Sequence, residues 1–221
     1  MHFCRTTSFC PRTSAFSPYI SPIAHIASSF GLIQRQHADD TQLYIAISRN
    51  SFLTSIHQLE EGLSALYVRF SLNGLALNPY KSDAVHLGTW QRHRDLPSLQ
   101  SVDVAGCVVP LSSQVKILGV TLDSHLTFNT HVVDSCTDCS FHMCALRRIR
   151  PCLTDDVATT IASALVSSQL DYTNTVLVGV SDKNITKLQR TQNTLARIVI
   201  RKYERRGVTQ SLKYLHWLSI K

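Results

Sequence analysis

No apolar run in the 221-residue chain approaches the ~20 residues needed to span a bilayer as a helix. The first 38 residues contain no acidic side chain. With Arg5, Arg12, Arg35 and many Ser and Thr they superficially fit a transit peptide. Pro11, Pro18 and Pro22 and the lack of an amphipathic period argue against that reading. Residues 1–17 hold no unbroken apolar core, which argues against a secretory signal. Charged residues are scarce, at 17%, against 44% hydrophobic, so the chain is expected to be globular rather than disordered. The cysteines number seven and are unevenly spread. That argues against a secreted disulfide framework and favours reduced thiols inside a cell, in nucleus or cytoplasm.

The formal net charge is +7 and the pI about 9.2. That favours a polyanionic partner, with RNA or DNA as the first guess, though a basic pI alone says little about which one. No membrane partner is expected, and no specific protein partner can be inferred. The length allows one good core and a second small one. No internal repeat is visible.

The most informative stretch is Gln36-His37-Ala38-Asp39-Asp40-Thr41-Gln42-Leu43-Tyr44-Ile45. Leu43, Ile45 and Ile47 alternate with polar residues, as in a half-buried strand. Phe30, Leu32 and Ile33 form an apolar flank before the acids. The two aspartates therefore fall at a turn between two strands, over roughly 31–48. Adjacent carboxylates repel unless a cation lies between them, and Mg²⁺ prefers such oxygen ligands. The alternative is an ordinary solvated turn, where Asp is common.

Other elements read as follows. Residues 1–18 look irregular, and a helix follows Pro22. Phe52, Ile56, Leu59, Leu63, Leu66 and Phe70 recur at three- and four-residue gaps, marking an amphipathic helix closed by Asn73-Gly74. Residues 75–87 read as strand, Asn78-Pro79 turn and strand. Residues 88–101 read as a loop. Val102–Val109 and Gln114–Leu122 read as two strands separated by Pro110. A helix is expected over 127–149, another after Thr154 as N-cap, and a third from Ser181 to about Ile200. Cys136, Cys139, His142 and Cys144 have a zinc-like spacing. On a helix, however, 142 and 144 point away from the face shared by 136 and 139, so these are read as core or surface thiols. Arg147, Arg148 and Arg150 form one basic cluster, and Arg197, Arg201, Lys202, Arg205 and Arg206 a second. Both could track a phosphate backbone, and the first equally suits a solvated helix end. Trp90 and Trp217 could stack on bases, though Trp217, beside Leu215 and Leu218, reads as a packing residue.

His37-Ala38-Asp39-Asp40 resembles the Tyr-Ala-Asp-Asp motif of reverse transcriptases, specifically those of non-LTR (LINE-like) retrotransposons. Further blocks follow in order. Asn73-Gly74-Leu75-Ala76-Leu77-Asn78-Pro79-Tyr80-Lys81-Ser82 resembles the next palm block. Val115-Lys116-Ile117-Leu118-Gly119-Val120-Thr121-Leu122-Asp123 resembles the block that grips the primer end. Leu170-Asp171-Tyr172-Thr173-Asn174, Leu188-Gln189-Arg190-Thr191-Gln192-Asn193 and Leu215-His216-Trp217-Leu218 resemble the helical segment beyond the palm. The likeness covers roughly 16–221. It implies an α+β fold: a partial reverse-transcriptase palm of antiparallel strands plus helices over 19–126, then an all-helical thumb-like region over 127–221.

The resemblance also implies RNA-directed DNA polymerisation, a nucleotidyl transfer using two Mg²⁺ ions held by three carboxylates. Asp39 would bridge the metals, with Asp40 beside it. Lys81 would act on the pyrophosphate, and Gly119 would let the primer approach. The upstream acid-bearing strand and the Pro-Gln-Gly block of the nucleotide pocket are not found. His37 replaces the family's tyrosine, Tyr80 an aspartate, and Arg69 a frequent tryptophan. The chain is thus expected to be a truncated, decaying copy that does not polymerise alone, with its inherited metal site weakly occupied. Two further readings are a basic nucleic-acid-binding remnant without catalysis, and a translated pseudogene with a marginal fold. The hairpin is expected to keep an unpaired edge and an uncovered face.

Overall fold

The computed structural model describes residues 2–6, 17–37, 40–75, 77–95, 99–172, 174, 176–201 and 208–220, with side chains from Ile23 onward. The chain is α+β. It divides into two compact units, Met1–Lys116 with Asp123–Leu126, and Ile117–Leu122 with Thr127–Lys221.

The first unit is built on a six-stranded sheet. Its strands are β1 (His2–Thr6), β2 (Ile33–His37), β3 (Asp40–Ile45), β4 (Asp83–His86), β5 (Ser101–Val104) and β6 (Cys107–Ser112), in the order β2-β3-β1-β4-β6-β5. All pairs are antiparallel except β4–β6. Helices α1 (Ser17–Ser29) and α2 (Phe52–Leu72) contribute to the core beside the sheet. All six periodic positions of α2 are buried, together with Leu43, Ile45 and Ile47 and with Ile23 and Ala27 of α1. Each of the Leu, Ile and Phe side chains contributes about 1.5–3 kcal/mol on leaving water. Asn73 and Gly74 close α2, with both N–H groups returned to its last carbonyls and Gly74 at φ 69°.

This architecture corrects several expectations. The segment 1–18 is not uniformly irregular, because His2–Thr6 forms β1. The hairpin has no unpaired inner edge. β3 is bonded on one side to β2 and on the other to β1, and its apolar face is covered by the core. The described part of 75–78 is not a strand. Residues 90–95 form a short helix, α3 (Trp90–Asp95), inside the expected loop. Its first turn is capped by Thr89, whose hydroxyl accepts the Arg92 N–H and whose carbonyl accepts the His93 N–H.

The two long strands expected around Pro110 are two hairpins instead. β5 turns into β6 at Ala105-Gly106. β7 (Gln114–Ile117) turns into β8 (Val120–Asp123) at Leu118-Gly119, making a separate two-stranded sheet. Both turns have positive φ at both central residues, 56° and 80° in the first, 46° and 82° in the second. Two-residue loops of that hand match strand twist, and glycine in second place removes the steric cost there. Pro110 lies within β6, opposite Ser101.

The second unit is mainly helical: α4 (Asn129–Ile149), α5 (Asp155–Ala162), α6 (Ser168–Tyr172), α7 (Asp182–Ile200) and α8 (Val208–Tyr214). A π-helical turn, Ser163–Ser167, joins α5 to α6. Thr154 caps α5, its side chain accepting the Val157 N–H at 3.4 Å. α7 buries Leu188, Leu195, Ala196, Ile198 and Val199 against Val132, Cys139, Met143 and Leu146 of α4 and against α5. Asn184 is fully buried at the start of α7 and ties it to the lead-in of α4 through Thr127 O and Asn129 Oδ1. Trp217 is half-buried against the same core. No described helix is long and apolar enough to cross a membrane.

Candidate functional site

The carboxylate hairpin follows from its register. Ile33 pairs with Tyr44, Arg35 with Gln42, and His37 with Asp40. Asp40 is thus the first residue of β3, half-buried, with His37 directly across the ladder. Asp39 lies outside the described residues. Leu43 and Ile45 enter the core, so Asp40, Gln42 and Tyr44 share the other face by alternation. Gln42 is buried on that face. Its Oε1 accepts the Tyr44 hydroxyl at 2.7 Å, while its Nε2 is buried with no hydrogen-bond partner among the described residues. Burial raises the Tyr44 phenol above its ordinary value, and nearby Arg35 partly opposes the rise.

The strand beside β3 bears directly on catalysis. β1 pairs Thr6 with Thr41 and Arg5 with Gln42. Its residues, His2-Phe3-Cys4-Arg5-Thr6, include no carboxylate. Arg5 also pairs with Asp83 of β4. Asp40 lies two residues before Gln42, and Lys81 two before Asp83, so both stand at the same end of the sheet. β1 separates their strands, which places them about 10 Å apart at ordinary strand spacing. Lys81 ends a tight 3-10 turn after Asn78-Pro79 and is exposed. Asn78 Oδ1 accepts the Tyr80 N–H, and the Ser82 hydroxyl donates to Asn78 O.

β1, the strand beside Asp40, carries no carboxylate. Mg²⁺ held by two carboxylates keeps most of its waters. Among the described residues no three His, Cys, Asp or Glu side chains are grouped to hold a metal.

Gly119, expected at a primer-binding position, sits at the β7–β8 turn. The Tyr172 hydroxyl donates to Leu118 O at 2.9 Å, and its ring edge lies 3.5 Å from where a Gly119 side chain would begin. The close approach at this glycine is made by the chain's own tyrosine.

The second unit draws the basic residues together. Arg201 Nη2 donates to Arg150 O at 2.7 Å, joining two clusters fifty residues apart. Arg147, Arg150, Pro151, Ile198 and Arg201 line one concavity of about 170 Å³. Arg147, Arg148 and Arg201 are exposed. Arg150, expected as a nucleic-acid contact, is 3% exposed. Its guanidinium is spent on Val199 O, Leu153 O and the Asp155 carboxylate. Arg197 is half-buried, with its Nε enclosed. Lys202, Arg205 and Arg206 lie outside the described residues.

On α4, Cys139 is buried and Cys144 exposed, with Cys136 and His142 between these extremes. Burial, reinforced by Cys136 and Asp138, pushes the Cys139 thiol up to about 11. It donates weakly to Gln169 Oε1 at 3.6 Å.

One group escaped the sequence reading. His86, Trp90, His93 and His125 form a contiguous cluster of rings in the first unit. Trp90 stacks on His125 at 3.7 Å, His125 meets His93 edge-on at 4.7 Å, and His93 leans on His86 at 4.1 Å. Trp90 and His93, three apart just after a Thr N-cap, were the available hint. His125 reaches them only through tertiary structure.

Comparison with protein-family models, with curated proteins and with solved structures finds no match.

Proposed function

We propose that the chain is a reverse-transcriptase-like palm with a helical, thumb-like region, which binds RNA or DNA and does not polymerise on its own. The observation that carries this reading is the hairpin register. It sets Asp40 at the start of a strand directly beside β1, where the resemblance expects the third metal-binding acid, and β1 has none. The ordered sequence blocks supply the ancestry, and the missing acid removes the chemistry. Any Mg²⁺ held by Asp39 and Asp40 is expected to be weakly bound.

The arginines favour retained binding. Arg147, Arg148 and Arg201 are exposed at one end of the helical unit, and a net charge of +7 supports polyanion attraction. Phosphate contacts release counterions, so affinity should fall steeply with salt.

Two measurements test the reading. Primer extension with the purified chain and Mg²⁺ should give no template-directed incorporation, and clear incorporation sinks the catalytic half. Binding of a labelled oligonucleotide should weaken linearly in log Kd against log salt. Absence of binding at low salt sinks the other half.

A further inference from the structure

We propose that Trp90, Arg92 and Arg94 form a docking surface for single-stranded nucleic acid, with a base stacked on the indole and phosphates on the guanidiniums. The proposal rests on the nucleic-acid-binding reading above and assigns a separate surface to it.

Trp90 is 69% exposed, which is a poor position for a large apolar ring unless something covers it. One face of the indole already lies on His125, at an interplanar angle of 25°. The opposite face meets solvent. His125 is itself fixed, with its ring nitrogen Nδ1 3.1 Å from Gly88 O and its backbone N–H on Asp123 Oδ1. His93 and His86 back it further. The indole is thus held in place before any ligand arrives, which lowers the ordering cost of binding. A flat aromatic ring with one open face accepts any unpaired base, whereas bases inside a duplex have no free face to offer.

The charges around it suit a phosphate chain. Arg94 is four residues beyond Trp90, on the same side of α3, and is exposed. Arg92 lies on the other flank. With Arg49, Ile47, Ser48 and Asp95 it lines a concavity of about 270 Å³. Two guanidiniums, Arg49 and Arg92, line it with the Asp95 carboxylate. The surface is also at the opposite end of the sheet from Asp40. β3 and β4 run in the same direction, both antiparallel to β1. Asp40 and Lys81 stand at their starts, and His86 closes the end nearest α3. A strand docked here would not need the carboxylates.

The two tryptophans are Trp90 and Trp217, so Trp217→Phe leaves Trp90 as the sole indole reporter. The experiment titrates this variant with oligothymidylate and with oligoadenylate RNA, following indole emission and, in parallel, the anisotropy of labelled oligomer. Quenching of Trp90 that tracks binding is expected. Trp90→Ala should weaken binding about tenfold. Arg92→Ala with Arg94→Ala should lower the log–log salt slope by about 2. Trp90→Phe, which keeps a ring on His125, should retain most of the affinity and guards against a folding artefact. Oligomer binding with unchanged Trp90 emission and unchanged affinity in Trp90→Ala overturns this surface alone. Absence of any oligomer binding overturns both this surface and the reading on which it rests. Equal or stronger binding of blunt duplex also overturns the stacking assignment.

Discussion

Arg150 donates to the main-chain carbonyl of Val199 through Nε at 2.8 Å and also through Nη2. Val199 is the second-last residue of α7, so a cation from the end of α4 satisfies a carbonyl that the helix itself leaves unbonded. The same guanidinium pairs with Asp155 at the start of α5. One side chain ties three helix ends together.

Arg150→Ala should therefore destabilise the chain, by about 3 kcal/mol, through stranded carbonyls and a void. Arg147→Ala and Arg148→Ala should change stability by less than about 0.5 kcal/mol, as exposed substitutions do, while weakening nucleic-acid binding. Urea melts and an oligonucleotide titration separate the two effects. A stable Arg150→Ala protein with a selective binding defect would return Arg150 to the interface.

The paired acids should be dispensable for binding. Asp39→Ala and Asp40→Asn remove negative charge from the chain without touching the exposed arginines. Affinity for primer–template should stay level or tighten slightly, with no dependence on Mg²⁺. A loss of incorporation measurable in the parent chain would instead mark them as working metal ligands.

Acid should loosen the first unit. The His86 imidazole is lowered to about 4, first by burial and then by the charges of His93 and His125. His93 is lowered too, by burial and then by His125. Both folded values lie below the ordinary value near 6.5, so the unfolded chain binds more protons between them. This contribution to stability is fully present above about pH 6.5 and is lost as pH falls toward 4. Because the His86 ring is partly exposed and screened by water, its expected contribution to the loss is about 1–2 kcal/mol. Denaturant melts at pH 7 and 5 measure it, and His86→Gln with His93→Gln should flatten the difference. An unchanged midpoint in the parent chain over that range would refute the account.

Thiol chemistry should divide by burial. Cys139, pushed up to about 11, stays protonated near pH 8 and is shielded. Cys144 and Cys152 are exposed. Iodoacetamide followed by peptide mass mapping should label those two first and Cys139 only after denaturation. Early labelling of Cys139 in native protein would show that the α4–α7 packing opens readily.

Much was legible in the residues alone, because it depends on local periodicity. The spacing Phe52-Ile56-Leu59-Leu63-Leu66-Phe70 specifies a helix and its buried face. The alternation of Leu43, Ile45 and Ile47 with polar residues specifies a strand with an apolar face, and Asn73-Gly74 and Thr154 specify where helices stop and start. The hairpin turns at Ala105-Gly106 and Leu118-Gly119 were encoded too, but a continuous apolar pattern across them reads as one strand, since side-chain alternation does not reveal where a chain reverses. What only tertiary structure decided is which distant segments meet. The insertion of His2–Thr6 beside β3, the burial of Arg150 by Val199 and Asp155, and the seating of His125 under Trp90 all join residues far apart in the chain. Such contacts are selected by the burial and hydrogen bonding of the whole assembly, a sum that no local window of sequence contains.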